Sequence, residues 1–272
     1  MDDSRLTPQG PCCRRRDLLL AAAWGSALAA GCATVPETGR SQLLLFPDSQ
    51  MNALGLQAYE EILKKEKVSA DPEANALVRR VGERIAAASG KDYDWRFTVI
   101  DDPKSANAFC LPGGKVAVYT GILPVTRDDA GLAVVMGHEV AHATARHGAE
   151  RMSQSTLVQG LALGGGVALG GGDPQRTRAI FGALGAGAAV GVILPFSRKQ
   201  ESEADRIGLR YMARAGYDPE AAVGFWERMD AAAQGKSRPP EFLSTHPSGE
   251  TRIRQIREWL PEARAQLRPR GA

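Results

Sequence analysis

At 272 residues, with 43% hydrophobic and 24% charged residues, the chain has the length and composition of an ordinary globular protein with ample core. A net charge of +3, on scattered basic residues with no aromatic-interleaved basic stretch, argues against a nucleic-acid partner.

The first 31 residues read as an export signal: Arg14-Arg15-Arg16 is a positive start and Leu18 to Ala30 a short apolar run. Leu28-Ala29-Ala30-Gly31-Cys32 resembles a lipobox, with cleavage before Cys32 and lipid on its sulfur, although Ala29 stands where Leu is commonest. Arg15-Arg16-Asp17-Leu18-Leu19 also resembles a twin-arginine signal, so both export routes stay open, as do a plain secretory signal and a retained anchor. With Cys12 and Cys13 removed and Cys32 acylated, Cys110 remains alone and no internal disulfide is expected. Ala33, rather than Asp, after the lipid site points to an outer-membrane lipoprotein on the periplasmic side of a cell envelope. Residues 32–47 are expected to be a lipidated N-terminus and linker, and 48–272 a single domain.

Asp48 is suited to cap a helix to about Lys67, with Leu54, Ala58 and Ile62 at helical spacing. Asp71-Pro72 opens a second helix with Leu77, Val81 and Ile85 on one face and Gly90 beyond its end. The period then changes, and Trp95–Ile100, Ala108–Leu111 and Lys115–Tyr119 read as strands, the last two joined at Pro112-Gly113-Gly114. Asp128 or Asp129 caps a helix running to about His147, with Leu132, Val135 and Met136 packing one side. Gly160 to Gly191 is rich in Gly and Ala, and Ala179 to Phe196 carries no charge. A helical hairpin over 156–196, covering a cleft as a lid, and membrane insertion of 179–196 are both open readings. Helices at Ser197–Arg214, Pro219–Gln234 and Glu250–Leu267 complete a mainly α fold with a small β-sheet, an α+β class.

The chemistry lies in His138-Glu139-Val140-Ala141-His142. Residues four apart share a helix face, so His138 and His142 can direct imidazoles at one ion while Glu139 stands beside them to take a proton from water. Two His do not complete a catalytic zinc site, which usually has three protein ligands and a water. Glu201 and Asp205, four apart on a later helix, offer a third ligand and a carboxylate to hold the free nitrogen of a ligand His. Glu203, about 200° round that helix from Glu201, is the weaker candidate. His147, five residues past His142, lies off the metal face and reads as structural.

His138-Glu-x-x-His142, Glu201-x-x-x-Asp205 and their flanks, Pro195 to Lys199 and Arg206-Ile207-Gly208, resemble the gluzincin metallopeptidases that include the CAAX prenyl protease, HtpX, BepA and LoiP. Ala106 to Phe109, Leu111 to Gly114 and Val118 to Gly121 resemble that family's edge-strand segment, and Thr34 to Leu45 its small lipoprotein members, the LoiP-like ones. The multi-span membrane helices of HtpX and the prenyl protease, and the repeat domain of BepA, have no counterpart in the sequence.

The resemblance implies one zinc ion held by His138, His142 and Glu201, with Glu139 as general base and Asp205 orienting a ligand. It implies that Asn107, Ala108, Phe109, Cys110 and Leu111 pair with an extended peptide by strand addition, Asn107 fixing its backbone. His246, in Ser244-Thr245-His246-Pro247, is expected either to occupy the open metal position as a reversible plug or to steady the oxyanion; a plain surface-loop His is the alternative. Arg252 is a second candidate for the oxyanion. The expected activity is zinc-dependent endopeptidase cleavage of misfolded or misassembled envelope proteins, with a lipid link to the membrane and association with envelope assembly machinery. The rivals are a lipid-anchored, chaperone-like binding protein with a latent metal site, and a membrane-acting module.

Overall fold

The change of hydrophobic period near residue 95 separates helical from extended segments, and the computed structural model, which describes residues 32–168, 197–234, 240–246 and 250–269, follows that division. Asp71 caps α2 (Pro72–Ser89) by accepting from the backbone N–H groups of Glu73 and Ala74, and Gly90 closes it in the left-handed conformation at φ 64°. Val78, Val81 and Ile85 of α2 are fully buried. The helix before it, α1 (Asp48–Leu63), begins after Pro47, so Asp48 lies inside the first turn rather than capping it.

Three strands, β3 (Arg96–Ile100), β4 (Ala108–Leu111) and β5 (Lys115–Tyr119), form one sheet in the order β3-β5-β4. β3 runs parallel to β5 and β4 antiparallel to it. The turn joining β4 to β5 needs two left-handed residues, supplied by Gly113 (φ 79°) and Gly114 (φ 81°). One face of the sheet packs Ile100, Phe109, Leu111 and Ala117 with Tyr59 of α1; Val99, Ala108, Val116 and Val118 join the main core. Among the described residues β4 lies at an edge of this sheet.

After a short α3 (Leu123–Thr126), Asp128 caps α4 (Asp129–Thr144), which is buried along almost its whole length. α4 ends earlier than the sequence suggests. Arg146 adopts φ 60°, an uncommon conformation for a residue with a side chain, and a new helix, α5 (His147–Ala168), starts in another direction. Most of the expected hairpin 156–196, and all of 179–196, lies outside the residues whose packing is described. Among the described residues no helix is long and apolar enough to cross a membrane.

α6 (Arg198–Arg214) opens with a reciprocal capping box between Ser197 and Gln200. α7 (Ala221–Ala233), α8 (Glu241–Thr245) and α9 (Glu250–Arg264) follow. α6 crosses α4 where Gly208 meets Gly137. A Cβ on Gly208 would lie 3.0 Å from the Gly137 carbonyl carbon and 3.0 Å from the His138 nitrogen. The two backbones therefore touch beside the first His of the motif.

The reading of residues 32–47 as a linker does not hold. β1 (Cys32–Thr34) pairs antiparallel with β2 (Ser41–Leu43), and Val35 between them is buried in the main core. Ion pairs hold this strand pair down: Arg214 to Glu37 at 2.8 Å, and Arg40 to Glu150 and Glu203 at 2.6 Å each. Two charged side chains, Glu37 and Arg40, in a short segment with neither helical nor alternating periodicity give no local pattern, which is why the segment resembles a tether when read alone. Cys32, the expected lipid site, is exposed at the start of β1.

Candidate metal centre

His138 and His142 point from one face of α4, as their four-residue spacing requires, toward the first turns of α6. The four residues His138, His142, Glu201 and His246 each offer one donor atom, and these atoms lie within 4.8 Å of one another, all on buried side chains. His138 Nε2 is 3.0 Å from His142 Nε2 and 3.4 Å from Glu201 Oε2. His142 Nε2 is 3.2 Å from Glu201 Oε1. His246, the residue following α8, brings Nδ1 to 2.9 Å from Glu201 Oε1 and 3.1 Å from His138 Nε2. It is buried in the cluster and is not a surface-loop residue.

The donor set has the chemistry of a zinc site. Neutral imidazole and carboxylate are common zinc ligands, and nitrogens converging at hydrogen-bonding distance with a carboxylate oxygen leave a shared cation as the natural partner. Glu201 Oε2 and Glu139 Oε1 are both buried without a hydrogen-bond partner. Glu139 Oε1 lies 3.3 Å from His246 Nε2.

A layer of charge surrounds these donors. Asp205 Oδ1 accepts from His138 Nδ1 at 2.9 Å, which leaves Nε2 directed at the cluster. Arg252 grips Asp205 through Nε and Nη2, each at 2.7 Å, and stacks on Trp226 with 3.5 Å from guanidinium carbon to ring centre. Its Nη1 is 3.3 Å from Glu201 Oε2. A bidentate carboxylate and an aromatic face thus hold the guanidinium in place at the edge of the donor cluster, with Nη2 also 3.5 Å from His138 Nε2.

The electrostatics follow from burial working against pairing. Burial disfavours charge on His138, but Glu201 and Asp205 outweigh it and raise this group to about 9. Burial dominates at His142 and keeps it well below the ordinary histidine range. Burial also raises the Glu139 carboxyl, against the opposing pull of His246 and His138. Glu201 stays far below the usual carboxylate range, because His246 and His138 overcome the cost of burying it.

The sequence reading missed the polar contacts on the far side of the His142 ring. Its Nδ1 is 2.8 Å from His147 Nδ1, and His147 Nε2 is 2.9 Å from Glu203 Oε2. The break at Arg146 produces this contact, since an unbroken helix would carry His147 about 140° round from His142. Glu203, the weaker ligand candidate by sequence, faces His147 and the N-terminal strand pair instead of the donor cluster.

Among the described residues, the expected peptide-binding strand has a strand neighbour on one side only, β5. Asn107 O accepts from Tyr119 N and Leu111 O from Gly114 N, so residues of that parity point at β5. Alternation turns the backbone groups of Ala108 and Cys110 outward. Phe242 N, in α8, already bonds Ala106 O of the same outward set at 3.1 Å. Asn107 uses its side-chain oxygen to accept from Ala108 N at 2.9 Å. The side chains of Phe109 and Leu111 are buried against Tyr59 and Ala108 is buried as well, so Cys110 is the most accessible residue of this strand.

Residues 72–260 match the profile of Peptidase family M48. The mitochondrial metalloendopeptidase OMA1 of Schizosaccharomyces pombe is 47% identical over 68% of this chain and 53% of its own length. OMA1 of Saccharomyces cerevisiae is 32% identical over 84% of this chain and 69% of its own length. The beta-barrel assembly-enhancing protease of Escherichia coli is 30% identical over 82% of this chain and 46% of its own length. The chain thus spans about half the length of two of these three relatives. The expected placement as an outer-membrane lipoprotein on the periplasmic side is overturned, because the relatives at 47% and 32% identity are mitochondrial by name. The motif reading anticipated the assembly-enhancing protease but not the OMA1 proteins.

Proposed function

Because the chain belongs to Peptidase family M48, we propose that it is a zinc-dependent endopeptidase in which His138, His142 and Glu201 hold the metal and Glu139 is the general base. The observation that carries the reading is the convergence of donor atoms from α4 and α6 within 4.8 Å, beside a buried glutamate oxygen with no hydrogen-bond partner. Zinc held there would supply Lewis acidity, activating water and polarising a peptide carbonyl.

The chain's own groups account for the remaining steps. Glu139 takes a proton at its carboxylate from the attacking water and delivers it to the leaving amine. Its buried setting raises its basicity for that task. Asp205, clamped by Arg252, keeps the His138 ring turned toward the metal. His246 stands where water and substrate must enter, so it acts as a plug that withdraws with α8 when a peptide arrives. The outward Ala108 carbonyl and the backbone groups of Cys110 pair with an extended peptide, and Phe242 N bonds the same edge at Ala106 O. An extended backbone is the form that misfolded or misassembled proteins expose, which supports these as the substrate class.

The test is metal analysis of the purified protein with cleavage of an unfolded protein such as casein. One zinc per chain and cleavage that chelation abolishes and zinc restores are expected. Glu139→Gln should keep the metal and lose turnover by roughly 10²-fold or more. Cleavage retained by Glu139→Gln removes it as the base, and client binding without any cleavage turns the reading toward a holding protein.

A further inference from the structure

At the far end of the His142 ring from the donor cluster, a chain of polar contacts leads to the N-terminal strand pair. Glu203 is an acceptor only. It receives the Nε2–H of His147 at 2.9 Å and the Nε–H of Arg40 at 2.6 Å, both on Oε2, and the Thr38 hydroxyl on Oε1. With its proton on Nε2, His147 has a lone pair on Nδ1, and this accepts the Nδ1–H of His142 at 2.8 Å. His142 must then present an unprotonated Nε2 to the donor cluster. The opposite tautomer would direct an N–H at the place where a cation has to bind.

Arg40 is fixed in its turn. Its Nη1 and Nη2 bond Glu150 at 2.6 and 2.8 Å, and Gln200, from the capping box of α6, donates to Glu150 at 2.8 Å. Glu150 and Glu203 are buried, so each carboxylate depends on these donors. Thr38 and Arg40 lie outside the span matched by the family profile.

We propose that Arg40, Glu203 and His147 form a positioning relay that fixes the tautomer and direction of the His142 ring, making the β1–β2 strand pair a working part of the metal centre. The inference rests on the reading of His142 as a ligand. Its consequence is that loosening a segment about one hundred residues upstream of the motif weakens metal retention without touching a ligand.

The experiment is a zinc competition titration against a chromophoric chelator, on the full chain and on His147→Ala, His147→Gln and Arg40→Ala. Thermal melting of each chelator-stripped protein accompanies it. His147→Ala should weaken zinc binding by roughly 10–100-fold, the usual effect of losing an outer-shell partner. His147→Gln should recover most of that loss, because a carboxamide can accept from His142 and donate to Glu203 at once. Arg40→Ala, at the outer end of the relay, should weaken binding by a smaller factor, and it reports even if His147→Ala does not fold. A purely structural role would lower the melting of both His147 variants alike and leave affinity unchanged. Wild-type zinc binding with His147→Ala within twofold of it overturns the relay alone. Arg40→Ala with wild-type affinity removes the strand pair from it. A wild-type protein that binds no zinc overturns the ligand reading as well.

Discussion

Replacing Gly208 by Ala tests whether the contact between α4 and α6 sets the ligand geometry. The new Cβ would sit 3.0 Å from the Gly137 carbonyl carbon and the His138 nitrogen, and 3.2 Å from the Gly137 oxygen. Ordinary carbon contacts lie at about 3.5–4.0 Å, so the helices must part by roughly 0.5 Å, since both neighbours are backbone and cannot rotate away. Overpacking of this kind costs about 1–3 kcal/mol, against which Ala returns about 0.5–1 kcal/mol of helix preference over Gly. A net loss of about 1–2 kcal/mol corresponds to a fall in melting temperature of roughly 2–8 °C for a domain of this size. The larger effect should be on metal. Ligand distances are held within about 0.2 Å in working sites, so a 0.5 Å separation of the two ligand-bearing helices should weaken zinc binding by roughly tenfold or more. Differential scanning fluorimetry and chelator competition measure the two effects. Gly148→Ala is the control, because nothing lies within 4 Å of a Cβ there; it should leave zinc affinity unchanged and not lower the melting temperature, the helix preference of Ala raising it slightly if anything. If Gly208→Ala has the melting temperature and zinc affinity of the wild type, close approach of the helices does not position the ligands.

Three further outcomes are expected. His246→Ala should raise hydrolysis of a short, unstructured peptide while weakening zinc binding, because His246 lies among the donors at 2.9 Å from Glu201; unchanged peptide turnover would deny the plug. Zinc added to chelator-stripped protein at pH 7 should release a proton, since His138 rises to about 9 without the metal and a ligand imidazole must be neutral; calorimetry in buffers of different ionisation enthalpy measures it, and a buffer-independent heat would contradict it. The third concerns acid. Burial raises the Glu203 carboxyl, but His147, Thr38 and Arg40 outweigh it and bring the group from 4.5 down to about 2. Its pairing therefore stabilises the fold fully above about pH 4.5, and the contribution is lost as pH falls toward 2. The melting difference between wild type and Glu203→Gln should shrink across that window, and a constant difference would show that its charge plays no part.

The parts legible in the sequence were those fixed by contacts a few residues long. The four-residue spacings of His138 with His142 and of Glu201 with Asp205 place each pair on one helix face whatever else the chain does. Asp71, Gly90, Asp128 and Ser197 end or begin their helices through bonds within four residues, and Gly113-Gly114 turn the hairpin by backbone freedom alone. Period alternation gave the three strands and, with them, the α+β class.

Tertiary structure decided the rest. Glu203 carries no sign that it faces His147 and not the metal; the direction of α5 after the left-handed Arg146 settles that. Arg40 sits in a stretch that reads as tether, yet ion pairs across 110 and 163 residues hold it against the back of the site. Arg252 was legible as a cation near the centre, but its commitment to Asp205 and Trp226 depends on how α9 packs over α7. A sequence writes down periodicity and caps because they act between neighbours, whereas the partner of a buried charge is chosen by which distant helix comes to lie beside it.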